Sequence, residues 1–354
     1  MIEWTANNNR FNNRRDCLLY CQENGIDLGE AEVAVSTLPE TITYTKNTNL
    51  YESSKHMIQE FKNSGKKIIL LYSGGPDSTL ALNCFLKNGV SPDKIIVYTV
   101  DCFNGKSPYN SYMIETEQAK EYLYLLKNNG MLSQHTEIKE IFLDEKYFEE
   151  IYKDSSWPKF LYGMKFSIAS ASSLFHAPQT DISNSIVIRG GSTPGIYKKN
   201  DKVFAYFHDT QFGEAINGPD YNKSIDFNVY DKTFFSAYVS SLIDNVGEFI
   251  SPSKAKGKNF TKFNIPEIKE MITIAPSCMP KDAPITMQLK DIDNLFFEAN
   301  ITRMKEWVMY LEALRLKPKW FDYYQSGIEQ NLDWVHFYNQ CAGISTKNIP
   351  VEFR

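Results

Sequence analysis

Residues 67–87 read KIILLYSGGPDSTLALNCFLK, and this stretch decides the fold. Lys67–Tyr72 is a compact apolar run, the pattern of a strand buried on both faces. Ser78–Lys87 reads as a helix, and Asn88-Gly89 closes it. Between them lies Ser73-Gly74-Gly75-Pro76-Asp77-Ser78. Two adjacent glycines let the backbone turn sharply and approach a ligand with no Cβ in the way. Pro76 suits the start of a helix, where its missing amide has no helical partner. The amides of the turn and of the first helical turn point at one spot. That spot attracts anions, because those amides lack intrahelical acceptors and carry the positive end of the helix dipole. Ser73 and Ser78 add hydroxyl donors for phosphate oxygens. Asp77 is out of place in an anion site unless a cation is bound. Mg²⁺ bridging the carboxylate and a polyphosphate accounts for it.

The alternation continues on either side. Tyr51–Lys62 is expected to be a helix that ends at Gly65. Lys94–Asp101 (KIIVYTVD) is a second buried strand, Tyr112–Lys127 a long amphipathic helix stopped by Asn128-Asn129-Gly130, and Thr136–Leu143 a third strand. Helices are expected near 145–153 and 160–175, and Ser185–Arg189 (SIVIR) is a fourth buried strand. This β-α-β-α-β order implies an α/β fold: a Rossmann-like parallel sheet with right-handed crossovers and helices on both faces. Ligands of such sheets lie beyond the carboxyl ends of the strands. Residues 1–50 read as an N-terminal extension, with a helix over about 12–23, Gly25 after it and a short strand over Ala31–Thr37. Residues 51–200 form the α/β domain. Residues 201–354 read as a mainly helical region for acceptor recognition and assembly. It holds a hairpin arm at Val203–His208, a helix at Lys232–Phe249, a lysine-bearing loop at Ser251–Lys262 and an aromatic-rich helical tail over 291–340.

The Ser73–Ser78 stretch is neither a Walker loop nor Gly-x-Gly-x-x-Gly. It resembles the pyrophosphate loop of the PP-loop ATP pyrophosphatase superfamily. That family includes the synthetase domains of asparagine, GMP and NAD synthetases, argininosuccinate synthetase, and several tRNA and nucleobase modifying enzymes. The resemblance is specific at 73–78 and spans about 55–200. It implies cleavage of ATP between the α and β phosphates, with the loop holding the departing pyrophosphate. A substrate oxygen attacks the α-phosphorus to give an adenylate, from which ammonia, an amine or a sulfur nucleophile displaces AMP. Carried over by position, Ser73, Gly74, Gly75 and Ser78 hold pyrophosphate, Asp77 places Mg²⁺, and Tyr72, Pro76 and Thr79 complete the nucleotide-binding segment.

Three further places follow from the same resemblance. The end of the second strand lies against adenosine, so backbone groups near Val100 are expected to read the adenine edge. Asp101 is expected either to accept a hydrogen bond from ribose or assist the metal, or to cap the loop after it. The fourth strand runs into Arg189-Gly190-Gly191-Ser192-Thr193-Pro194-Gly195, a second glycine segment expected to close over the nucleotide through Gly190, Gly191 and Ser192. Arg189 and, behind it, Lys198 and Lys199 are positioned to neutralise charge that develops during attack on the α-phosphate; the alternative for Arg189 is a surface ion pair. Glu115 and Ala119 have the Glu-x-x-x-Ala spacing found in deazaguanine synthases, although acidic residues suit a helix start unaided.

Composition narrows the branch. The chain has 354 residues, 42% hydrophobic and 23% charged, which excludes a wholly disordered or collagen-like protein. A net charge of −5 disfavours a general nucleic-acid binder. RNA is therefore the less favoured partner, and the lysines of 254–262 are read as a solvated loop. There is no signal-peptide core and no membrane-spanning run, so the protein is expected to be reduced, soluble and cytoplasmic. Cys17 and Cys21 read as core residues; of the two cysteines near the loop, Cys84 reads as buried and Cys102, directly after Asp101, is the better placed for thiol chemistry. No Cys-x-x-Cys and no zinc spacing occurs among Cys17, Cys21, Cys84, Cys102, Cys278 and Cys341, which disfavours the zinc-bearing deazaguanine synthases and the thiolating enzymes. The chain begins Met-Ile, without the N-terminal cysteine of a fused glutaminase. None of the five histidines has metal-ligand spacing, and His208-Asp209 reads as a polar turn. Val308, Leu311 and Leu314, then Phe321, Tyr324, Ile328, Leu332 and Val335, recur at helical spacing and read as core or a homo-oligomer interface. The expected function is an AMP-forming ligase that uses ATP and Mg²⁺, adenylates a carbonyl or carboxylate oxygen of a small-molecule or nucleobase acceptor, and transfers an amine or ammonia. The alternatives are a nucleobase or tRNA modifying enzyme and a nucleotide-binding scaffold without catalysis.

Overall fold

In a computed structural model of the chain, Lys67–Leu71 lies at the centre of a five-stranded parallel sheet. The structure describes residues 2–12, 14–27, 30–107, 111–160, 184–190, 194–199, 201–206, 224–246, 270–271, 310, 312–335 and 348–353. In chain order the strands are β1 Ile2–Ala6, β2 Asn9–Phe11, β3 Ala31–Val35, β4 Ile42–Tyr44, β5 Lys67–Leu71, β6 Lys94–Asp101, β7 Glu137–Asp144, β8 Ser185–Arg189, β9 Gly195–Lys199, β10 Lys202–Tyr206, β11 Ser224–Asp226, β12 Glu270–Met271 and β13 Ile349–Phe353. The helices are α1 Arg14–Asn24, α2 Leu50–Ser53, α3 Lys55–Asn63, α4 Pro76–Lys87, α5 Ser111–Asn128, α6 Glu145–Tyr152, α7 Trp157–Phe160, α8 Phe227–Tyr230, α9 Lys232–Val246 and α10 Lys319–Gln330.

The parallel sheet has the order β11-β8-β5-β6-β7. Its strands are read twice, once by each face, as a period of two requires. Ile68 and Leu70 of β5, Ile95 and Val97 of β6 and Ile188 of β8 feed one core, with α2 to α5, α8 and α9. Ile69 of β5, Ile96 and Val100 of β6 and Val187 of β8 feed the other, with Phe148 and Tyr152 of α6, Trp157 of α7 and Trp320, Phe321 and Tyr324 of α10. Helices on both faces of a parallel sheet make this an α/β, Rossmann-like core with helices in the C-terminal region. The order of strands reverses at β5: the chain steps outward from β5 through β6 to β7, then returns to β8 on the other side. A crevice forms at such a switch point, and the turn after β5 opens into it.

Elements of the core match the expectations to within a few residues. One helix expected over Tyr51–Lys62 is two, α2 and α3, broken at Ser54. That residue is buried and its hydroxyl donates to the Tyr51 carbonyl at 2.8 Å. The expected helix over 160–175 and the lysine loop of 251–262 lie outside the described residues.

Two smaller sheets flank the core. β2-β1-β3 is antiparallel and covers α1, with Trp4, Cys17, Leu18, Cys21 and Val33 at its centre. The other has the order β12-β9-β10-β13-β4. Its β9–β10 hairpin follows the second glycine segment, and β13 near the C-terminus pairs with β4 near the N-terminus. Residues 42–44 thus belong to a sheet shared with the rest of the chain, and residues 224–246 complete the parallel sheet and one of its cores. Among the described residues no helix is long and apolar enough to cross a membrane.

Candidate functional site

The turn between β5 and α4 is pinned from beneath. Tyr72 continues the strand pairing through its amide, which donates to the Ile96 carbonyl at 2.9 Å. Its phenol lies 3.2 Å from the Thr79 hydroxyl, which in turn donates to the Gly74 carbonyl at 3.4 Å. Tyr72 and Thr79 are both buried, and burial pushes the Tyr72 phenol well above its ordinary pKa. Both side chains therefore hold the turn from inside. Gly74 has φ +76°, the left-handed region that favours glycine. A Cβ there would lie 3.0 Å from that of Ala119 on α5. Close packing under the loop accounts for the small residue at 119 without any chemical role.

Ser78 closes the turn. Its hydroxyl donates to the Gly75 carbonyl at 3.1 Å, accepts the Ser73 amide at 3.3 Å and lies 3.2 Å from the Ser73 hydroxyl. The Gly75 amide reaches the Ser73 hydroxyl at 3.3 Å. These bonds are at or beyond the long end of the usual range, so the loop donors are weakly engaged. The amides of Asp77 and Ser78 fall in the first turn of α4, where no intrahelical acceptor exists; the Thr79 amide is the first to bond back, to Gly75 at 3.0 Å. Ser73 is exposed at the mouth and Ser78 is buried behind it.

The second glycine segment meets the first. A Cβ on Gly190 would lie 2.4 Å from the Ser78 nitrogen and 2.5 Å from the Asp77 carbonyl carbon. The exit of β8 therefore lies against the start of α4, and only glycine leaves room. Gly191 and Ser192 lie outside the described residues.

Among the described residues, two side chains from distant helices donate to one oxygen of Asp77. Asn228 Nδ2 of α8 donates to its Oδ1 at 3.2 Å, and the Tyr238 hydroxyl of α9 donates to the same atom at 3.1 Å. Neither residue carries a sequence signal, because each is more than 150 positions from Asp77 and only the tertiary fold brings them together. The opposite side of α9 lines a groove of about 440 Å³ with Thr41, Thr43 and Thr45 of the β4 segment, and no residue of the loop borders it.

Other expected residues have structural partners. Arg189 pairs with Asp226, its register neighbour on β11: Nη2 donates to Oδ2 at 2.6 Å, and Nε lies in ion-pair contact with Oδ1. The pair is largely buried, so Arg189 is a strand-tying cation rather than a free one. Lys198 pairs with Asp201 at 3.1 Å at the tip of the β9–β10 hairpin. It lies three residues, roughly 10 Å at the usual strand rise, beyond the glycine segment. Asp101 Oδ1 accepts the Gly105 amide at 2.9 Å; its carboxylate caps the turn after β6, in which Asn104 and Gly105 have positive φ. Val100 is buried between the sheet and the aromatic cluster of α6 and α10. Cys102 is buried too, and burial and the Asp101 charge push its thiol far above the ordinary range. A thiolate nucleophile there is disfavoured. His56 and His135 are exposed, and His176, His208 and His336 lie outside the described residues.

Among the described residues, the cradle with Asp77 beside it suits a magnesium-bound polyphosphate. The glycine turn admits close approach, the loop offers amides and hydroxyls, and Asp77 stands beside them. Among the described residues no three His, Cys, Asp or Glu side chains converge as a metal cage; Mg²⁺ is usually held by one or two carboxylates and substrate phosphates instead.

Fold and site define an α/β protein with a glycine turn at the switch point of a parallel sheet. No family model matches the chain, and no curated protein matches it in sequence. Among solved structures the chain is similar to NMN synthetase from Francisella tularensis, at 15% identity and a TM-score of 0.27 over 40% of this chain and 54% of that one. The match thus spans about half the length of that protein, and at this score it carries no argument about function.

Proposed function

We propose that this chain is an ATP-cleaving, AMP-forming enzyme of the PP-loop type that ligates an amine or ammonia to an acceptor. The observation that supports it is the Ser73–Ser78 turn at the carboxyl end of the central strand, with Asp77 at the head of α4. In this reading the β and γ phosphates of ATP lie against the loop amides and the Ser73 hydroxyl. Mg²⁺, when bound with ATP, neutralises phosphate charge and stabilises the departing pyrophosphate. Asp77 is the chain's own ligand toward that ion, and the Gly190 segment walls the site on the β8 side. An acceptor oxygen forms a bond to the α-phosphorus while the bond to the bridging oxygen breaks, and pyrophosphate leaves with that electron pair. The amine then attacks the activated carbon, AMP leaves with the second electron pair, and the amine proton is lost to solvent. Arg189 acts indirectly, by fixing β8 against β11, and Lys198 has no part. The buried Cys102 disfavours a thiolating branch.

The test is turnover of ATP labelled at the α-phosphate with Mg²⁺ and a panel of carboxylate and carbonyl acceptors. AMP and pyrophosphate are expected; release of ADP would sink the reading. Asp77→Ala should reduce turnover by about a thousandfold, the scale seen when a preorganised electrostatic group is removed.

A further inference from the structure

We infer that Asn228 and Tyr238 are positioning residues for the Asp77 carboxylate, so that the segment 224–246 completes the phosphate–metal site. This rests on the ATP-cleaving reading of the loop. Both donors fall on Oδ1, at 3.2 Å and 3.1 Å. Two bonds on one oxygen fix the carboxylate's rotation and the direction in which the other oxygen faces. A group that binds a divalent cation gains from such restraint, because outer partners orient a ligand and tune it.

The two donors are themselves fixed. Asn228 is fully buried. Its Oδ1 has no hydrogen-bond partner among the described residues, so the Nδ2 bond to Asp77 sets the orientation of the amide. Turning it over would place its oxygen against a carboxylate. The Tyr238 ring lies parallel to Phe234, with centroids 6.2 Å apart and planes 9° apart. Phe234 meets Phe227 edge-on at 5.0 Å, and its amide is capped by Asp231 at 2.7 Å. Asn228 and Tyr238 thus come from two successive helices that pack on each other and on the α4 side of the sheet. Satisfying Asp77 as an ordinary helix-start residue needs neither. Its side chain would meet water or the amides of its own turn.

The test uses the full chain and measures binding of inorganic pyrophosphate by calorimetry, with Mg²⁺ and with EDTA. Tyr238→Phe keeps the ring and removes one donor. It should weaken binding about tenfold with Mg²⁺, the low end of the usual loss when an outer partner of a metal ligand is removed, and less than about twofold with EDTA. Asn228→Ala should show the same split. In an Asp77→Ala background, Tyr238→Phe should have no further effect, because its influence passes through that carboxylate. An equal loss in both backgrounds, or no loss in the native background, overturns the inference while leaving the loop's role intact. A native chain that binds no pyrophosphate with Mg²⁺ overturns the loop reading and this inference with it. Melting temperatures identify variants that fail to fold, and the near-isosteric Tyr238→Phe keeps the question decidable if Asn228→Ala is among them.

Discussion

Gly190 and Gly89 are both glycines near α4, but they are glycine for different reasons. Gly89 has φ +68° and open space around its missing side chain; it ends a helix. Gly190 faces the backbone of Asp77 and Ser78 at distances no Cβ tolerates. Gly89→Ala should cost about 1–2 kcal/mol through backbone strain and leave pyrophosphate affinity unchanged. Gly190→Ala must push β8 away from the start of α4. It should cost about 1–3 kcal/mol and also abolish detectable pyrophosphate binding, measured on the same preparation. Intact binding by Gly190→Ala would mean that the two glycine segments do not cooperate. The thiols give an independent check on burial. Burial raises Cys84 to about 12 and Cys102 further, so at pH 8 neither is a thiolate. Iodoacetamide should spare both in the native chain and modify both in denaturant, read by peptide mass; rapid native labelling of Cys102 would restore the thiol chemistry that its place after Asp101 suggests.

At the scale of elements, the packing of α10 on α6 is the clearest case of shape deciding sequence. Trp157 stacks on Tyr324 at 5.1 Å, and Tyr152 meets both rings edge-on. Trp320 crosses to the sheet, where its indole donates to the Cys102 carbonyl at 2.8 Å. Gly327 lets this happen: a Cβ there would lie 1.9 Å from the Trp157 indole nitrogen. Gly327→Ala is favourable for an isolated helix, yet here it should destabilise the protein by about 3 kcal/mol, at the upper end of the usual cost of overpacking. Thermal unfolding checks the sign, and stabilisation would show that the indole is free to move. The helical period of Phe321, Tyr324 and Ile328 made this element legible in the sequence, and the uninterrupted apolar runs of β5, β6 and β8 did the same for the parallel sheet. The strands β1, β2, β4, β11 and β13 were not legible. They are three to five residues long, too short for a periodic signal, and β4 and β13 find their partner at the other end of the chain. The loop at 73–78 was visible because its residue types are forced locally. Asn228 and Tyr238 were not, because what they touch is set by the tertiary fold.

At the scale of the whole molecule, both termini are built into the body by elements from the other end. β13 lies between β10 and β4, with the Tyr44 and Phe353 rings 4.8 Å apart. The small sheet over residues 2–35 is tied in by Trp334. This indole is 3% exposed and belongs to the cluster of Trp4, Cys17, Leu18 and Cys21. Its nitrogen donates to the carbonyl of Pro158, within α7, at 3.0 Å. One side chain thus joins the N-terminal sheet, the α6–α7 face of the parallel sheet and the helical tail. Trp334→Ala removes that bond and a large apolar volume, and should cost about 3–5 kcal/mol. The loss should be local, since the loop and Asp77 are served by the opposite face of the sheet, through α4, α8 and α9. Limited proteolysis would then cut within 36–41, between β3 and β4, while pyrophosphate affinity stays within about twofold of native, as expected for distant sites without shared partners. Protection of that segment in Trp334→Ala would show that the N-terminal sheet is held by other contacts, and a parallel loss of pyrophosphate affinity would show that the two faces are coupled through the strands they share.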